Sequence, residues 1–136
     1  MNIKYANFMS IVLIGMGSVL YLSIHYISYI NAQENEDRLQ IVSNIRNLLN
    51  QTMTEYKNAN YTGASELVDI AYIDNYEYIE DSLKDLDKDL MEETEVLIRE
   101  DFSDAVNDQG SIENINSMYS KIQNNLDLIE NLFRQN

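Results

Sequence analysis

The sequence contains no cysteine and no proline. Without cysteine there can be no disulfide, no thiolate metal ligand and no cysteine nucleophile, although the lack fits any redox compartment. Without proline, and with only four glycines, the chain has few places to interrupt a helix. That favours long helices over a many-turned β fold. Histidine occurs once, at His25, so the rest of the chain has no material for Glu-x-x-His metal pairs or a histidine base. Basic residues are scarce: nine Lys and Arg stand against 23 Asp and Glu, a formal charge of −14. Nucleic acid, which needs a basic footprint, is disfavoured as a partner. Anionic lipid headgroups are repelled as well, so any membrane contact has to be hydrophobic. No glycine-rich phosphate loop, G-x-S-x-G elbow or H-E-x-x-H is present, and nothing specifies an enzyme or requires a cofactor.

What the sequence does contain is enough apolar material for one modest folded domain, 45% of 136 residues. Its most concentrated portion is NFMSIVLIGMGSVLYLSIHYISYI, Asn7 to Ile30, which holds no Asp, Glu, Lys or Arg. As a helix rising about 1.5 Å per residue it would measure about 34 Å from Phe8 to Ile30. That crosses a hydrocarbon core of about 30 Å. Tyr21, Tyr26 and Tyr29 gather at its far end, where amphipathic rings favour the interface. Lys4 is the one ionised side chain before the run, and all 23 acids follow residue 31. The positive-inside tendency then keeps the N-terminus cytoplasmic and sends the acidic body across. Two sequons, NQT at Asn50 and NYT at Asn60, agree with an external body. A cleaved signal peptide is the rival reading. The thin charged n-region, the long apolar run and the poor INA site before Gln33 favour an uncleaved anchor.

The sequence therefore predicts residues 1–31 as a short cytoplasmic N-terminus and a single transmembrane helix in the lipid bilayer, and 32–136 as an extracytoplasmic body. Within the span, Gly15 and Gly17 would let a neighbouring helix approach closely. His25, Tyr26 and Tyr29 would meet a partner near the outer interface. These five are the candidate partner contacts.

In the body, apolar residues recur at steps of three and four. Leu39, Val42, Ile45, Leu49, Met53 and Tyr56 make one stripe, which can follow directly from the membrane helix. NANYTG, Asn58 to Gly63, reads as a loop. Val68, Tyr72, Tyr76, Ile79, Leu83, Leu86, Leu90 and Leu97 make the next stripe, within residues 64–106. A break between Asp81 and Asp89 is expected, because Ser82, Asp85 and Asp87 are competent N-caps. After NDQG, Ser111 caps a last helix striped by Ile112, Ile115, Met118, Ile122, Leu126, Ile129 and Phe133. The predicted fold is all-α, an antiparallel bundle of about four helices.

The stretch Tyr72 to Asp101 carries twelve acids against three basic residues. Most of these acids fall away from the apolar stripe, where they stay solvated and keep the body soluble. Glu77, Glu80 and Asp81 lie within about one turn, with Glu80 bordering the stripe, and Glu92, Glu93 and Glu95 cluster further on. Carboxylates so spaced can share a hard cation, which makes Glu77, Glu80 and Asp81 the candidate metal ligands.

The segment YTGASELVDIAYIDNYEYIEDSLKDLDKDLMEETEVLIREDF, Tyr61 to Phe102, resembles a helical repeat of extracytoplasmic archaeal and bacterial proteins. The likeness covers about 42 of 136 residues. It looks like the periplasmic helical domain found beside high-affinity iron permeases, and AYIDNYEYIE with LMEETEVLIRE is similar to membrane-associated proteins of ammonia-oxidising archaea. The first likeness implies iron handling, with the Glu-x-x-Glu pattern falling on Glu77 and Glu80. The chain lacks the multi-pass permease and its membrane glutamate motif, so it is not itself the transporter. The second likeness implies a small accessory subunit of a membrane complex such as archaeal ammonia monooxygenase. The leading expectation is a non-catalytic accessory subunit that packs against integral membrane proteins. The alternative is an extracytoplasmic module that binds or senses a metal cation.

Overall fold

The structure, a computed structural model, describes Tyr26 and residues 33–136. The chain divides into two compact units, Met1–Glu36 and Asp37–Asn136. Of the first unit, Tyr26 and residues 33–36 are described, all helical, and Tyr26 is exposed. The expected membrane span, with Gly15, Gly17, His25 and Tyr29, otherwise lies outside the described residues. Among the described residues no helix is long and apolar enough to cross a membrane.

The second unit follows from the apolar spacing. Helix α1, residues 37–57, buries Val42, Ile45, Leu49, Met53 and Tyr56. Helix α2 runs through Tyr61–Ala71, a π turn at Tyr72–Tyr76, and Glu77–Leu86. Helix α3 is built the same way, from Lys88–Val96, a π turn at Leu97–Phe102, and Ser103–Asn107. Helix α4 is Ile112–Gln135 and buries Ile115, Ile122, Leu126, Ile129 and Phe133. The all-helical, roughly four-helix expectation therefore holds for the body, and the described residues contain no strand.

Side-chain partners give the directions. Along α1, Arg38 lies over the Phe133 ring, Arg46 donates to Gln123 Oε1 at 2.9 Å and pairs with Asp127 at 2.5 Å, and Asn50 accepts from Tyr119. Partner numbers fall as α1 numbers rise, so α1 and α4 are antiparallel. The same holds for α2 and α3: Ser65 meets Asn107, Tyr72 meets Glu95, and Tyr76 meets Met91. Asn125 donates to Thr94 Oγ1 at 3.1 Å and joins α4 to α3 inside the core.

Local chemistry sets the connections. The loop expected over Asn58–Gly63 is shorter, because Asn60 caps α2 by accepting from Gly63 N at 3.3 Å and the helix starts at Tyr61. The reversal that ends α1 falls on Ala59, at φ 59°, with Asn60 N bonded to Glu55 O at 2.9 Å. A Cβ is costly in that left-handed conformation. Ala59→Gly should therefore stabilise the body by roughly 1 kcal/mol; a urea midpoint that falls in this variant would contradict the assignment. The break expected between α2 and α3 lies at Asp87, which is extended and accepts from Leu90 N at 3.0 Å. Ser111 caps α4 as expected, accepting from Asn114 N at 3.2 Å.

The two π turns were not expected, and they have a simple cause. Ala64, Val68, Tyr72 and Tyr76 follow one another at steps of four, as do Thr94, Ile98, Phe102 and Val106, and all eight are buried. Each step of four overshoots a turn of about 3.6 residues. Three in succession would rotate the stripe about 120° away from the core. Widening one turn per helix absorbs the excess: Glu77 N bonds back to Tyr72 O, five residues earlier, and the lower half of α2 stays in register.

Candidate functional site on the acidic hairpin

Charge divides sharply within the bundle. Residues 61–107, the α2–α3 hairpin, hold fifteen acids and three bases, whereas α1 and α4 together hold five of each. The negative charge of the chain is therefore largely a property of the hairpin. Most of these acids face water, including Asp74, Asp81, Asp85, Asp89 and Glu92, in keeping with the solvated-face expectation.

Two acids of the hairpin behave differently. Glu80 is half-buried, and its Oε1 is buried without a hydrogen-bond partner. Glu95, from the second acidic cluster, is drawn inward and pairs with Arg99 at 2.7 Å. Between them stands Tyr72, whose hydroxyl donates to Glu95 Oε1 at a long 3.4 Å. The Arg99 guanidinium lies 5.9 Å from the centre of the Tyr72 ring and also pairs with Glu100 at 2.6 Å. Tyr76, stacked against Tyr72 with ring centres 6.2 Å apart, donates to Met91 O at 2.9 Å. The two π turns bring these groups together, since Tyr72 opens one and Arg99 lies in the other.

Burial pushes the Tyr72 phenol up to about 12, with Glu80 adding to the effect, and drives Tyr76 up as well. Both phenols are hydrogen-bond donors at neutral pH. Burial, and then the Glu95 carboxylate, hold the Glu80 carboxyl above its ordinary range; Glu77 acts in the same direction, while Tyr72 and Arg99 oppose it. The folded chain therefore grips this proton more tightly than the unfolded chain does. The stability linked to it is full below the ordinary carboxylate range and is lost as pH rises through the folded-state value. Glu80→Gln, which stays neutral at every pH, should exceed the parent in stability at neutral pH. At about pH 3 the two should coincide. Urea titrations at both pH values check this, and equal midpoints at neutral pH would contradict it.

Of the candidate metal ligands, then, only Glu80 turns inward. Glu77 and Asp81 are exposed, and among the described residues no three of His, Asp and Glu are grouped closely enough to hold a metal ion. Glu77 acts on Glu80 electrostatically. Beside this cluster an open groove of about 250 Å³ runs between α2 and α3, lined by Val68, Asp69, Tyr72, Ile73, Glu77 and Arg99. Sequence reasoning missed Arg99 and Ile73. The available signals were an arginine four residues after a glutamate in a strongly acidic run, and an apolar residue off the core stripe.

Comparison with family models, curated proteins and solved structures finds no match for this chain. The resemblance of Tyr61–Phe102 to the permease-linked and archaeal domains thus rests on the sequence pattern alone.

Proposed function

We propose that the protein is a non-catalytic accessory subunit of a membrane complex, held by one N-terminal transmembrane helix, with its helical body on the extracytoplasmic side. The observation that carries this reading is the uncharged run from Asn7 to Ile30 placed ahead of a body in which all 23 acids of the chain reside. Such a run is long enough to span a bilayer, and the charge contrast orients it. The body supports a packing role rather than chemistry. Among the described residues, its polar groups serve as caps, as helix-to-helix bonds and in two arginine-centred clusters, around Arg46 and Arg99. The resemblance to archaeal membrane-associated proteins adds the ammonia monooxygenase of those organisms as a candidate complex.

Anchoring and sidedness are tested by alkaline extraction of native membranes, followed by protease treatment of sealed cells or right-side-out vesicles. The proposal expects the chain to stay in the pellet and its body to be digested from outside. Release into the alkaline supernatant, or a body protected until lysis, would overturn it.

A further inference from the structure

The outward face of α2 presents three large apolar side chains, Ile70, Ile73 and Tyr78, with Ile73 and Tyr78 exposed at 53% and 73%. Around them stand Glu66, Asp69, Asp74, Glu77 and Asp81, all exposed, and α2 carries no basic residue before Lys84. In an unbroken α-helix Tyr78 would lie about 140° round from Ile73, five residues on. The π turn at Tyr72–Tyr76 sits between them and narrows that angle, so the same device that keeps the core in register also gathers the apolar side chains. The groove beside Ile73 continues the surface, and its one cation, Arg99, is already neutralised by Glu95 and Glu100.

We infer that this face is a docking surface for a basic amphipathic helix of a partner protein, its apolar side seated on Ile70, Ile73 and Tyr78 and its Lys or Arg residues meeting the surrounding carboxylates. Charge selects this occupant. A second copy of the chain would oppose acids to acids if the face paired with itself, and its other described helices, α1 and α4, are together neutral. Anionic lipid and nucleic acid carry the same sign as the face. A helix laid along a groove with apolar anchors and a charged rim is a common recognition mode. This deepens the accessory-subunit reading by naming the surface and the partner chemistry. Its test needs no native partner, so the two can fail separately.

The test titrates a fluorescent Leu/Lys amphipathic peptide, and its Leu/Glu counterpart, into the full chain in neutral detergent with empty micelles subtracted. Saturable binding of the Leu/Lys peptide alone is expected. The exposed-site double variant Ile73→Ser/Tyr78→Ser should weaken it roughly tenfold or more, as truncation of central anchors does. Leu128→Ser, at an exposed position on α4, should leave it unchanged within about twofold. The inference is overturned by non-saturating binding, by equal losses in both variants, or by no loss at Ile73 and Tyr78. A dimer seen by light scattering that the double variant dissolves would assign the face to self-association and overturn it likewise.

Discussion

Deletion of Asn124 from α4 should leave no folded bundle, whereas deletion of Asp74 from α2 should leave one that melts within a few degrees of the parent. Both residues are exposed, so neither loss removes a core contact directly. The difference lies in the register of each helix. Helix α4 is a regular α-helix with buried Ile122, Leu126, Ile129 and Phe133. Removing Asn124 turns everything after it by about 100° and carries Leu126, Ile129 and Phe133 off the core. Each large core side chain lost costs about 2–5 kcal/mol, and three together approach or exceed the whole stability of a typical domain, about 5–15 kcal/mol. Helix α2 has the opposite problem. From Ala64 to Leu83, both fully buried, the chain advances by nineteen residues, while five α turns take about 18. The π turn stores the surplus residue. Deleting Asp74 lets that turn close to an α turn with Tyr76, Ile79 and Leu83 still facing inward. Circular-dichroism melts of the two deletions separate the cases, and an unfolded Asp74 deletion would show that the π turn is not a stored insertion.

Thr94→Val should destabilise the bundle by about 2 kcal/mol even though the substitution keeps shape and volume. Thr94 and Asn125 are buried, and Asn125 Nδ2 donates to Thr94 Oγ1 at 3.1 Å. Thr94 in turn donates to Leu90 O at 2.7 Å, a carbonyl that the α-helix can satisfy from its own backbone N–H groups. Valine therefore strands the asparagine amide in an apolar setting, and that desolvation penalty is the main loss. Adding Asn125→Leu should recover most of the lost stability, because a neighbouring pair replaced together leaves nothing unsatisfied. Denaturant titrations of the two single variants and the double variant give the coupling. Additive losses would mean that the pair is solvated and that α3 and α4 are held together by apolar contacts alone.

How much of this was legible in the sequence depends on whether a residue's setting is local. The buried stripes of α1 and α4 can be read from alternating steps of three and four. The caps at Asp87 and Ser111 could be anticipated because a capping side chain bonds within three residues of itself. The π turns were also written locally, in two runs of consecutive four-residue steps, but those steps pass for ordinary helical spacing unless the drift is summed. Ile73 and Tyr78 look like core material by residue type, and only the position of α3 shows that the core is already filled without them. Spacing put Glu80 at the border of the stripe, but how it and Glu95 turn inward was hidden for a different reason. Their setting is made by Tyr72 and Arg99 meeting across two helices, a relation that no spacing within either helix contains. Arg46 is likewise unremarkable in α1 until Gln123, Asp127 and Glu130 come opposite it.

The central claim is that this chain works as a part of a membrane assembly, and mild-detergent purification of the native protein with quantitative mass spectrometry of what accompanies it tests that most directly. The account predicts a fixed-ratio set of integral membrane proteins, at least one with a Lys- or Arg-rich amphipathic segment on the extracytoplasmic side. Recovery of the chain alone, at full yield and folded, would contradict it.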